Sequence, residues 1–139
     1  MLAGMRAAGT AALCALVVAL ASCGGGDGDE SDAGGLAREA SAVIAQLERS
    51  IAAGEFERIC SELLSAEVRR QAGGGECPAM LKRTSTGVKR PRIEVKEIKI
   101  EGATAVVDVV TVADGQARAE DTIRLVREAG GYRISSLSG

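Results

Sequence analysis

The chain has 139 residues, with 17 Lys plus Arg against 19 Asp plus Glu and a formal net charge of −2. It contains no His and no Trp, and only one Phe and one Tyr, which excludes histidine general-base chemistry, histidine metal sites and aromatic stacking platforms. The near balance of charge also excludes the basic face that nucleic acid requires, so no nucleic-acid partner is expected.

Arg6 is the only charge in an N-terminal segment dominated by the apolar run Ala7 to Ala21, which only Gly9 and Thr10 interrupt. That run has the length of a signal-peptide core, about 7–15 residues, and is shorter than the roughly 20 that span a bilayer. It closes on Leu20-Ala21-Ser22-Cys23. An aliphatic residue, two small residues and a cysteine in this setting resemble the lipobox of bacterial lipoproteins. The resemblance implies that residues 1–22 are a signal peptide, that Cys23 carries a diacylglycerol with palmitate among its acyl chains, and that Cys14 is discarded. The mature protein would then sit on the outer, extracytoplasmic face of the cell membrane. Each buried CH₂ contributes about 0.8 kcal/mol, so one acyl chain holds marginally and two or three hold stably.

Residues 24–35 read GGGDGDESDAGG and include no apolar residue larger than alanine. Such a stretch buries no core, so residues 23–35 are expected to form a flexible acidic tether. Residues 36–139 are then a single domain. Leu36, Ala40, Val43, Ile44, Leu47 and Ile51 recur at steps of three and four, which predicts a helix over 36–53. Arg38, Glu39, Gln46, Glu48 and Arg49 take its polar face, and Gly54 suits a left-handed C-terminal cap. A second helix is expected from Glu55 to Leu64 with Phe56, Ile59, Cys60, Leu63 and Leu64 inward. Ser65 is a natural N-cap for a short third segment to Gln71, which Gly73-Gly74-Gly75 ends. Pro78 suits the first turn of a fourth short helix.

The period then switches to two. Ile93 and Val95 alternate, as do Ile98 and Ile100, but the phase slips at Lys96-Glu97, which predicts one strand with a bulge. Thr104 to Val112 is a β-branched run suited to a central strand. Asp114-Gly115 signals a hairpin, and Asp121, Ile123 and Leu125 alternate against Arg118, Glu120, Thr122 and Arg124. Gly130-Gly131 turns the chain into a last strand from Tyr132 to Leu137. The layout is α+β: N-terminal helices on an antiparallel meander of about four strands.

The stretch AAGEFERICSELLS, the later Cys77-Pro78 and the closing LVREAGGYRISSL resemble small actinobacterial lipoproteins of the nuclear transport factor 2-like superfamily. The resemblance covers residues 36–137 and implies a curved sheet wrapped around a long N-terminal helix to make a cone. Tyr132 stands where a Trp is common in these relatives, and the catalytic residues of the enzymatic members have no clear counterpart.

Cys60 and Cys77 are the only cysteines after Cys23, and outside the cytoplasm they are expected to form a disulfide. No metal site and no cofactor is expected. Asp121 breaks an inward apolar stripe. A two-residue Asp114-Gly115 turn would set Asp108 directly opposite Asp121, whereas a one-residue shift would send Asp108 to the other face. Asp121, Asp108 and Tyr132 are therefore the candidate ligand-binding residues, set against a simpler reading in which the acids are solvated and the Tyr packs as core. Lys82-Arg83 and Lys89-Arg90 form a basic patch compatible with anionic headgroups or with plain solvation. The functional expectation is a membrane-anchored, non-catalytic module that binds a small ligand or an envelope protein. The alternatives are an isomerase- or cyclase-like enzyme with Asp121 as base, and a structural envelope component that forms a homodimer through the sheet.

Overall fold

A computed structural model describes residues 27–138. The segment read as signal peptide, and Cys23 with it, lies outside the described residues.

The first helix, α1, runs Asp27–Ala53. It starts well before Leu36, so residues 27–35, read from composition as flexible tether, are helical. Once nucleated by the apolar stripe, each further residue adds one hydrogen bond. Gly34 and Gly35 have open space where a side chain would be. At the other end Gly54 adopts φ +71°. The Gly54 N–H donates to the Ile51 carbonyl at 3.2 Å and the Glu55 N–H to the Ser50 carbonyl at 2.9 Å, the paired closure that a left-handed residue permits.

The expected second helix is present in two pieces. One α-turn, α2 (Phe56–Arg58), widens into a π-helical turn over Ile59–Leu63. Its wider closure is the Leu64 N–H donating to the Ile59 carbonyl at 3.0 Å. Ile59, Cys60 and Leu63 are thereby all buried. The chain then extends, Leu64 bridges Ile134 in parallel, and the Ser65 N–H donates to the Ile134 carbonyl at 2.9 Å. The next helix, α3 (Ala66–Gln71), starts as expected: the Ser65 hydroxyl accepts from the Val68 N–H at 3.2 Å. A 3₁₀ turn at Gly74–Glu76 leads to α4 (Cys77–Thr84), with Pro78 in its first turn. Cys60 and Cys77 form a disulfide across a Cα–Cα distance of 6.2 Å.

Four strands follow: β1 (Arg92–Glu101), β2 (Thr104–Val112), β3 (Ala119–Glu128) and β4 (Gly131–Ser138). They form one antiparallel sheet in the order β1-β2-β3-β4. The β1 bulge falls between Val95 and Glu97, as the phase slip predicts. A second irregularity in the β3–β4 pairing sets Leu125 against Ile134 and Arg124 against Ser136, leaving Ser135 as the extra residue. Ala40, Ile44 and Leu47 of α1 pack with Ala105, Val107, Val109, Ile123, Leu125 and Ile134 of the sheet. Every buried core side chain among the described residues lies between Ala40 and Ile134. Glu48, expected only on the polar face of α1, also accepts the Ile93 N–H at 2.6 Å. It ties the helix to a backbone donor of an edge strand, which carries no strand on its other side.

Candidate functional site

The register between β2 and β3 decides which carboxylates meet. Thr111 pairs with Ala119, Val109 with Asp121, and Asp108 with Thr122. The two-residue turn is therefore not the one formed. Residues 113–118 make a longer loop, closed by the Gln116 N–H on the Ala113 carbonyl at 3.1 Å. The Asp114 carboxylate in that loop pairs with Arg90, and its N–H donates to the Lys89 carbonyl at 2.9 Å. This register is one residue away from the arrangement that would oppose the two acids, so Asp108 and Asp121 face opposite sides of the sheet.

Asp121 shares the inner face with Ile123 and Leu125. It borders a pocket of about 280 Å³ where α1 and the sheet part. Leu47 and Ile51 come from the last turns of α1, and Ile93 from the start of β1. Thr111 closes β2, Asp121 and Ile123 lie early in β3, and Leu137 comes from the end of β4. The Thr111 hydroxyl donates to Asp121 Oδ2 at 3.0 Å. A second hollow of about 230 Å³ shares Ile51, Ile93 and Thr111 with the first and continues beneath Val88 and Pro91. Leu137 pairs with Ile123, which places it on the inner face, yet it is 62% exposed. An inner-face leucine left this open marks a mouth that the protein's own side chains do not fill. Deeper in, Val107, Leu125, Ile134 and Ile44 close the space completely.

The other two candidates lie elsewhere. Asp108 is on the outer face, where its Oδ1 accepts from the Thr122 hydroxyl at 2.9 Å. It borders a hollow of about 300 Å³ with Lys96, Val110 and Glu120, whose lining also includes Asp121. On the same strand face of β1, the Lys99 ammonium is held above its ordinary pKa chiefly by its hydrogen bond to Glu97. Tyr132 is 3% exposed and packs in the core near the β3–β4 turn, at the opposite end of β4 from Leu137. Its hydroxyl is buried without a hydrogen-bond partner. The Arg127 guanidinium lies 5.1 Å from the ring centroid. The Glu39 carboxylate, 2.9 Å away, is the main cause that raises the Arg127 pKa. Of the three candidates only Asp121 reaches the pocket, while Thr111 and Leu137 belong to the site and were not singled out from the sequence. Their signal is the alternation itself, since Thr111 continues the inner stripe Ala105, Val107, Val109.

A larger depression of about 830 Å³ crosses α2 and α4 near Phe56, Arg58 and Pro78. It is an open trough walled by Glu55, Glu57, Glu62 and Lys82, outside the helix–sheet interior. Among the described residues no cluster of three metal-ligating side chains occurs. No described helix is long and apolar enough to cross a membrane.

No protein-family model and no curated protein matches the chain. Solved structures do. A protein named Rd1NTF2_05, carrying five substitutions, aligns with a TM-score of 0.55 and 12% identity over 71% of this chain and 94% of its own. A Campylobacter jejuni protein described as NTF2-like aligns with a TM-score of 0.47 and 12% identity, over 67% of this chain and 94% of its own. The designed NTF2-fold protein NT-9 gives 0.46 and 16% identity, over 71% and 83%. At such identities the likeness concerns fold alone. Helices followed by a four-stranded antiparallel meander, matched in this way, make the described part of the chain an α+β domain of the nuclear transport factor 2-like fold.

Proposed function

We propose that the chain is a membrane-anchored extracytoplasmic lipoprotein whose domain binds a small, largely apolar ligand carrying one hydrogen-bond donor. The observation that carries the binding reading is the open mouth: aliphatic walls, an exposed inner-face Leu137, and one carboxylate at the wall. The two adjoining hollows fall near the lower end of ligand pockets, about 300–1,000 Å³. Asp121 accepts Thr111 on Oδ2, which leaves Oδ1 to receive a ligand ammonium or hydroxyl. It is the single titratable side chain lining the pocket of about 280 Å³, and this supports binding over the acid–base pairing of an isomerase or cyclase. Anchoring rests on Leu20-Ala21-Ser22-Cys23 and has no support beyond the sequence.

Two experiments test the two halves separately. Nile red, a neutral apolar probe, should fluoresce on binding and be displaced by 1-naphthylmethylamine. Asp121→Asn should weaken the amine about tenfold or more, the worth of a charge-assisted hydrogen bond, while sparing Nile red. Equal loss of both probes would refute the role given to the carboxylate. For the anchor, Cys23→Ser should abolish palmitate labelling and release the protein from the membrane fraction. Labelling that persists would remove Cys23 as the lipid site.

A further inference from the structure

Residues 77–93 hold five cations, Lys82, Arg83, Lys89, Arg90 and Arg92, and no acid. All five are exposed. Arg90 is neutralised by Asp114. Among the described residues, no ion pair joins Lys82, Arg83, Lys89 or Arg92 to a carboxylate. On the helical half, Arg58 and Arg70 by contrast each sit beside a glutamate one turn away.

The strap also has a fixed position. Val88, Pro91 and Arg92 line the hollow that shares Ile51, Ile93 and Thr111 with the Asp121 pocket. Arg92 therefore borders the mouth that Leu137 leaves open, and Arg83 and Lys89 lie on the same strap, whereas Lys82 lines the trough with Glu55, Glu57 and Glu62. Leu137 is the exposed large apolar side chain of the described residues. Cations on flexible stems beside an apolar residue and an apolar opening are the composition of an interfacial surface, with charge at headgroup level and the leucine at the acyl boundary.

We infer that this face docks on an anionic lipid surface. The strap 82–92 meets the headgroups, Leu137 enters the acyl boundary, and the pocket mouth opens toward the bilayer, so that an apolar ligand passes between membrane and pocket without crossing water. Each basic residue near an anionic surface raises partitioning about fivefold, so Arg83, Lys89 and Arg92 together give on the order of a hundredfold. A lipid surface suits these residues better than an acidic protein, because their charge is spread along a loop and a helix end without a shared bidentate geometry. The docking does not depend on a lipid at Cys23.

The test uses residues 23–139 with Cys23→Ser, which retain the whole described core and carry no acyl chain. Co-sedimentation is measured with phosphatidylcholine vesicles, alone and mixed with phosphatidylglycerol, at low and high salt. Binding should require phosphatidylglycerol and weaken at high salt. Arg83→Gln should lower the partition coefficient about fivefold, and the pair Lys89→Gln with Arg92→Gln about 25-fold. Leu137→Ser should lower it further and increase its sensitivity to salt. Arg69→Gln with Arg124→Gln, exposed cations outside the strap, should leave it unchanged. Equal binding to phosphatidylcholine alone, no binding to either vesicle at low salt, or an equal loss in the Arg69/Arg124 pair would overturn the inference. Circular dichroism of each variant confirms that the fold is intact.

Discussion

Replacing Cys60 and Cys77 together by alanine removes the one covalent clip in the described domain. The bridge spans 17 residues of sequence and joins the π-helical turn to the first turn of α4. Closing a loop of that length is worth about 3 kcal/mol in the chain-entropy model. Both cysteines are buried, at 3% and 0% exposure, so truncation also loses packing, by about 1 kcal/mol. For a domain of this size each kcal/mol moves Tm by about 4–8 °C, so the oxidised chain should melt about 16–32 °C above the double variant. Thermal denaturation followed by circular dichroism measures the difference, with the wild-type chain run oxidised and reduced. The reduced wild type should fall most of the way to the variant, because the thiols restore packing but not the constraint. A shift below about 3 °C, or two free thiols titrated in the native oxidised chain, would refute the reasoning.

Gly35→Ala should stabilise the domain by about 0.5–1 kcal/mol, since the added methyl meets open space inside α1; no gain in urea stability would place residue 35 outside the helix. Ser65→Ala removes the side-chain acceptor of the Val68 N–H at a buried position and should cost about 1–2 kcal/mol by the same assay, with Ser65→Asp retaining part of it. Glu48→Ala leaves the Ile93 N–H without its carboxylate and should cost about 1–2 kcal/mol, and amide exchange at Ile93 should accelerate more than exchange at Val107.

The strands were legible because their signals are local. The slip at Lys96-Glu97 is a bulge, and the β-branched run over 104–112 is an interior strand. Ser65 caps the helix that its side chain and position announce. The paired cysteines follow from count alone. Two features depended on partners distant in sequence. The β2–β3 register is set by a loop tied through Arg90 and Lys89 to Asp114, and nothing within residues 104–125 encodes those ties. That register sends Asp108 outward and leaves Asp121 with Thr111. The π-helical turn arises because Leu64 must extend to reach Ile134 while Ile59, Cys60 and Leu63 all stay buried. The early start of α1 opposes composition, as glycine-rich sequence is the usual mark of coil, and propagation from the apolar stripe over 36–51 carries the helix back through it.

An open, unfilled mouth beside Asp121 is the claim on which the binding proposal depends, and methyl-labelled NMR of the domain titrated with 1-naphthylmethylamine probes it directly. The methyl signals of Ile51, Ile93, Ile123 and Leu137 should shift together and saturate, while those of Ile44 and Ile134 in the closed interior stay in place. Shifts spread evenly over the surface methyls, or none at the mouth, would contradict it.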